Sequence, residues 1–195
     1  MTAARLLIVG PQGSGKGTQG VRIAEALGIP AVSTGDVFRA NVKEGTELGQ
    51  QVKAIIDAGD LVPDELTSAI VRDRLEQADA AGGFLLDGYP RNLAQVRDLD
   101  GFLQGRGEEL TAVIELVVPR EESIARLSKR AAEQGRDDDN EESIAKRLSI
   151  YENETAPILD VFRERGIVDQ IDGVGSLDEI TERITAALTA RGIAA

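Results

Sequence analysis

The segment Gly10-Pro11-Gln12-Gly13-Ser14-Gly15-Lys16-Gly17-Thr18 gathers glycines, one lysine and two hydroxyl side chains into nine consecutive residues. Glycine-rich backbone can wrap so that successive N–H groups point at one anion, and a helix opening directly after it adds the positive end of its dipole. The spacing is that of a phosphate-binding loop, Gly-x4-Gly-Lys, whose lysine reaches the β- and γ-phosphates of a nucleoside triphosphate. The strict motif puts Ser or Thr directly after the lysine. Here Gly17 stands there and Thr18 comes next, so a direct hydroxyl bond to Mg²⁺ does not follow from the motif. An acidic candidate, Asp87, ends the apolar run Phe84-Leu85-Leu86 and leads into Gly88-Tyr89-Pro90-Arg91. At a strand end it can organise Mg²⁺ through water or serve as a turn or capping aspartate, and the sequence leaves both open.

Positioning these residues takes strands and helices in alternation. Leu6 to Val9 is a short apolar run stopped by Gly10, the shape of a buried parallel strand. Residues 31–33, 83–87, 112–118 and 167–171 read as four more. Val21, Ala24 and Leu27 fall at helical spacing over 17–27, with Gly28 and Pro30 as the stop. Leu48, Val52, Ile55 and Ile56 mark a one-faced helix ending at Gly59, and Pro63 suits the first turn of another that carries Leu66, Ile70 and Leu75. Further helical patterns fill 91–104, 120–133, 141–165 and 176–191, with Pro157 predicting a kink or break in the third. Asp139 or Asn140 makes a good N-cap for that stretch. The alternation implies right-handed βαβ units and a parallel sheet, an α/β fold in one domain of 195 residues.

Composition removes whole classes of chemistry. The chain has no cysteine and no histidine, so thiol nucleophiles, disulfides, imidazole bases, Ser-His-Asp triads and Cys- or His-ligated zinc are impossible. The balance of 22 basic against 34 acidic residues, net −12, argues against a nucleic-acid partner. It says little about small anions, for which a few well-placed cations dominate a local pocket. No apolar run approaches the roughly 20 residues that cross a bilayer, and the amino terminus lacks the length and cleavage site of a secretory signal. The expectation is a cytoplasmic protein.

A phosphate loop alone does not choose among GTPases, motors and kinases. The chain has no Asn-Lys-x-Asp element for guanine. Its segments Gly10–Gln19, Ser33-Thr34-Gly35-Asp36 with Arg39, Leu61-Val62-Pro63, Asp87-Gly88-Tyr89-Pro90-Arg91, and Gly135-Arg136-Asp137-Asp138-Asp139 with Arg147 resemble the adenylate kinases, in family order from residue 6 to about 190. The resemblance implies the P-loop NTPase fold with a five-stranded parallel core and reversible phosphoryl transfer, Mg·ATP + AMP to two ADP. It also implies two mobile insertions, an AMP-binding segment at 33–62 and a short lid at 129–139. The longer bacterial lid with its zinc-binding cysteines is absent, so no zinc is expected. The expected partners are ATP, AMP and ADP, and the expected state is a monomer bound to neither nucleic acid nor membrane.

Carried onto this sequence, the resemblance assigns ATP to Gly13, Ser14, Gly15, Lys16, Gly17, Thr18, Arg126, Arg130 and Gly175. It assigns AMP to Thr34, Arg39, Asp60, Leu61, Val62, Gly88, Tyr89, Pro90, Arg91, Gln95, Arg136 and Arg147. Catalysis falls to Lys16, Arg91, Arg130, Arg136 and Arg147, and Mg²⁺ to Thr18 and Asp87, through water. The arginines make physical sense, because bringing two polyanionic phosphate chains into line requires forked cations around them. Arg126 matches the residue that packs its planar guanidinium on the ATP adenine, and Asp138 and Asp139 resemble lid carboxylates that hold the closed form. Thr34 and Gln95 match the pair facing the AMP base, where UMP/CMP kinases tend to have alanine and asparagine. Asn92, by contrast, resembles the pyrimidine kinases. The rival readings are a UMP/CMP kinase on the same fold, a nucleotide-binding regulatory module without transfer activity, and a P-loop ATPase acting on a macromolecule.

Overall fold

The computed structural model describes residues 3–134 and 140–193. Within them five strands, β1 (Ala4–Val9), β2 (Ala31–Ser33), β3 (Gly83–Asp87), β4 (Ala112–Val117) and β5 (Val168–Asp172), pair in parallel in the order β2-β3-β1-β4-β5. Alternate residues of β1 serve opposite faces. Leu7 and Val9 join Phe84, Leu86 and Val113 in a cluster with Leu99 and Phe162, while Leu6 and Ile8 join Leu85, Ile114 and Leu116 against Ile23 and Ile184. Both faces are therefore covered by helices, which is why the strands read as continuous apolar runs.

The helices are α1 (Lys16–Leu27), α2 (Thr34–Glu44), α3 (Glu47–Asp57), α4 (Asp64–Leu75), α5 (Leu93–Gln104), α6 (Arg120–Gln134), α7 (Glu141–Ile150), α8 (Ile158–Glu164) and α9 (Leu177–Ala190). The register brings Ile8 and Ser33 both beside Asp87, so the loops after β1, β2 and β3 leave the sheet at one edge. Ligands of open parallel sheets bind at such a carboxyl-end edge, where the chain runs to opposite sides of the sheet.

Several expectations change. No helix is foreseen over 34–44, yet α2 lies there, capped by Ser33, whose hydroxyl accepts from the Asp36 amide at 3.3 Å, and stopped by Gly45. Its inward face buries only Thr34 and Phe38, too little to write an apolar period. In α1 the buried face is Gln19, Gly20, Ile23 and Ala24, while Val21 is 48% exposed. Gln19 is buried at no polar cost, since its amide donates to the Leu177 carbonyl and accepts from Thr181. Pro63 stands at the N-cap of α4, one residue before its first turn. The 141–165 stretch breaks in two: α7 runs into a π turn at Tyr151–Thr155, and Pro157 caps α8. Asn140 caps α7 by accepting from the Ser143 amide. The fifth strand sits one residue later than expected.

Segment 33–62 packs around its own small cluster of Phe38, Val52 and Val62. Its far end is docked on α7, where the Ser143 hydroxyl donates to the Asp57 carbonyl at 2.7 Å and Lys146 pairs with Asp60 at 2.7 Å. Of segment 129–139, residues 129–134 continue α6. Arg136, Asp138 and Asp139 lie outside the described residues.

Candidate active site

A cleft of about 660 Å³ opens at the carboxyl edge of the sheet. The phosphate loop forms its floor. Gly13 and Gly15 hold φ of 79° and 88°, the left-handed region that side chains disfavour. At Gly13 a Cβ would also fall 2.6 Å from the Ser123 carbonyl oxygen, so the loop lies directly on α6. Five other helices carry a side-chain N-cap bond, at Ser33, Thr46, Asn92, Asn140 and Ser176; α1 begins at Gly15 with none. The Gln19 amide returns to the Gly15 carbonyl. The preceding amides of Lys16, Gly17 and Thr18 therefore have no partner within the helix, and all three residues line the cleft. An uncapped helix end facing a cavity is an anion site.

Lys16 and Asp87 face each other here. Burial pushes the Lys16 ammonium down to about 8, Asp87 opposes that, and Arg91, Arg130 and Arg39 push it lower. Burial raises the Asp87 carboxyl above the usual carboxylate range, with Lys16 and Arg91 pulling it back. Arg91 is likewise held below its ordinary value, chiefly by burial. Three half-buried charges at one sheet edge cost stability in the free protein, the pattern expected of a site tuned for ligand charge.

Arg39, Arg126, Arg130 and Arg147 line the same cleft. The pair Arg126 and Arg130 stands one helical turn apart on α6, and Arg147 comes from α7. Arg126 is braced: its guanidinium donates to Glu122, to the Gly173 carbonyl at 3.0 Å and to the Ser14 carbonyl at 3.4 Å. Arg91 donates through Nε to the Gly88 carbonyl at 2.8 Å, and Thr34 donates to the same oxygen at 3.1 Å. Arg39 pairs with Asp36 at 2.6 Å. Asp60, Leu61, Val62, Gly88 and Gln95 complete the wall.

Four assigned residues sit elsewhere. Ser14 has a fully buried side chain, and its amide donates to the Pro11 carbonyl at 3.1 Å, so it turns away from the cleft. Tyr89 is 3% exposed, and its hydroxyl meets Ser68 at 2.8 Å and Asp98 at 3.3 Å between α4 and α5. Pro90, joined to Tyr89 by a cis peptide, borders a small space of about 30 Å³ that shares Lys16, Gly88 and Arg91 with the cleft. Gly175 lies in the β5–α9 loop beside Glu179 and Arg183; in that loop it is Gly173 that contacts Arg126. Conversely, Gln12, Val21, Phe38, Ile56 and Thr67 line the cleft without having been singled out. Val21 had a signal, standing one turn after Thr18 on the loop-facing side of α1. Asn92 lies off the cleft: it caps α5, its side-chain oxygen accepting from the Gln95 amide, and donates to Asp64 at 2.8 Å.

Comparison with known proteins finds likeness along nearly the whole chain. The family model described as adenylate kinase matches residues 8–167. An adenylate kinase of Clavibacter michiganensis subsp. michiganensis is 61% identical over 97% of this chain and 94% of its own length. One of Leifsonia xyli subsp. xyli is 60% identical over 96% and 94%, and one of Thermobifida fusca is 54% identical over 96% and 99%. With a phosphate loop and several arginines lining one cleft, and likeness over nearly its whole length, the chain belongs to the adenylate kinase family.

Proposed function

We propose that this chain catalyses reversible transfer of the γ-phosphoryl group of Mg·ATP to AMP, giving two ADP, as a cytoplasmic monomer that binds neither nucleic acid nor membrane. Among the described residues no helix is long and apolar enough to cross a membrane. The observation that carries the reading is the single cleft shared by the phosphate loop and the 33–62 wall, with Lys16, Arg91, Arg130 and Arg147 between them. ATP lies along Gly13, Gly15, Lys16, Gly17 and Thr18 with its adenine against Arg126. AMP lies against Thr34, Arg39, Asp60, Leu61, Val62, Gly88 and Gln95.

An AMP phosphate oxygen attacks the γ-phosphorus in line. A new P–O bond forms, the bond to the β,γ-bridging oxygen breaks, and its electron pair stays on the departing ADP. Lys16 and the arginines neutralise the oxygens of both chains, which is most of what this reaction asks of a protein. Asp87 fits a role toward Mg²⁺: its Oδ1 is buried with no hydrogen-bond partner, and Gly17 leaves the space before its carboxylate open. Among the described residues no cluster of three or more Asp or Glu could hold a metal by itself, as suits an ion carried in by phosphates and steadied by Asp87 and Thr18 through water. When bound, Mg²⁺ would supply positive charge that offsets the charge of the phosphate oxygens. Asn92, the one residue favouring a pyrimidine kinase, is explained by its cap. Steady-state rates with AMP, CMP and UMP test the reading: AMP is the preferred acceptor, and equal or better use of CMP or UMP would overturn it.

A further inference from the structure

Gln95 is 2% exposed and lines the cleft, and its amide is held from two sides. Its Oε1 accepts from the Arg91 backbone amide at 2.7 Å, and its Nε2 donates to Asp64 Oδ1 at 2.9 Å. Asn92 donates to the same Asp64 oxygen at 2.8 Å, while its own oxygen caps Gln95, so the carboxylate is itself oriented. A carboxylate only accepts and a backbone N–H only donates. The two ends of the Gln95 amide therefore cannot exchange: turning it over would set its oxygen against Asp64 and its NH₂ against the Arg91 N–H. What remains for a ligand is one N–H and one oxygen lone pair, in a fixed order.

We propose that Asp64, which lies off the cleft, is a positioning residue that sets the polarity of Gln95 and thereby makes the acceptor site select a 6-aminopurine over a 6-oxopurine. Adenine offers a donor at its 6-amino group beside the N1 acceptor, which meets the fixed amide in register. Hypoxanthine has the same shape but offers an acceptor at O6 beside an N1–H donor, which meets it donor to donor and acceptor to acceptor. Leaving buried polar groups opposed is the costly case, and sites built around such a pair discriminate strongly. The inference rests on the acceptor reading above.

The test is kcat/KM for AMP and IMP in wild type, Asp64→Asn and Asp64→Leu, with KM for ATP and the melting temperature measured alongside. Wild type should prefer AMP by roughly a hundredfold or more. Asp64→Leu, which leaves Gln95 Nε2 with no acceptor, should narrow that ratio by about tenfold, while Asp64→Asn, whose oxygen the Asn92 and Gln95 donors hold in place, should keep most of it. KM for ATP should hold. A purely structural role would weaken AMP and IMP alike and leave their ratio in place. If the folded Asp64→Leu enzyme keeps the wild-type ratio, or Asp64→Asn narrows it as far as Asp64→Leu does, the proposal is wrong. If wild type does not phosphorylate AMP at all, the acceptor reading has failed instead, so the two failures are distinct.

Discussion

At the residue scale, Lys16 shows how the site trades stability for chemistry. Its folded value of about 8 lies below the ordinary 10.5. Between those values the unfolded chain holds a proton that the folded protein has released, so this group's contribution to stability rises with pH through that window. Below about pH 8 the buried ammonium is a constant cost. Lys16→Met should therefore fold, lose most transfer activity, and at pH 7 be more stable than wild type by on the order of 1–3 kcal/mol. Urea midpoints at pH 7 and near pH 9.5 check this: the gap between the two proteins should narrow by about half at the higher pH, and a gap that stays constant contradicts the assignment. In the proposed function Gln95 acts at the other nucleotide. Uracil opposes its fixed amide, and cytosine, though matched in polarity, is too small to fill the space that adenine takes. AMP should thus exceed CMP and UMP by at least about tenfold in kcat/KM, since ~1.4 kcal/mol suffices for that ratio. Gln95→Ala should erode the preference by weakening AMP and leave KM for ATP nearly unchanged. Thr34→Ala should act more mildly, because the Thr34 hydroxyl is already given to the Gly88 carbonyl. Loss of ATP affinity alone in Gln95→Ala would mean that the two nucleotide subsites are assigned the wrong way round.

The elements place these residues through their ends, and α5 is the clearest case. Asn92 satisfies the first turn of α5 and pins Asp64 at the start of α4. Asn92→Ala should cost roughly 1 kcal/mol as a lost cap, read as a drop in melting temperature. Asn92→Thr restores the cap and should keep AMP as the preferred acceptor; a changed base preference there would make Asn92 a base-reading residue after all. Much of this scale was legible in the sequence. Apolar runs stopped by Gly or Pro mark β1, β3 and β4 because both faces of those strands are buried. Pro157 marks the break between α7 and α8 because its ring cannot continue a helix. The loop from Gly10 to Thr18 is legible because it makes its site from consecutive residues. By contrast α2 is silent because its one fully buried apolar side chain is Phe38, with only Val42 of the helix half-buried beside it. The Asp64–Gln95 bond spans 31 positions, and no local pattern encodes it. Tyr89 reads as a site residue from its neighbours in sequence, but its hydroxyl finds Ser68 and Asp98 in the packing between α4 and α5.

Across the whole molecule, the cleft joins segment 33–62 and α6 to the carboxyl edge of the sheet. Segment 33–62 carries its own small core and is tied to α7 through Ser143 and Lys146, while the following residue, Arg147, lines the cleft. Engaging both nucleotides should draw 33–62 and 129–139 inward, as a reaction that must exclude water requires. Two adenosines joined through five phosphates should accordingly bind far more tightly than ATP or AMP alone, since the second half binds at high effective concentration. Amide hydrogen exchange should slow in both segments when that compound is bound; equal affinity for it and for ATP, or unchanged exchange in both segments, speaks against a two-nucleotide site that closes. The central claim is that one cleft joins two nucleotides for direct transfer. It is tested most directly by measuring ADP formed from ATP and AMP in a coupled assay, with and without Mg²⁺ and with each nucleotide omitted in turn. Two ADP should appear per AMP consumed, only when both nucleotides and Mg²⁺ are present and with no inorganic phosphate released. ATP breakdown to ADP and phosphate without AMP, or no ADP from the complete mixture, would contradict it.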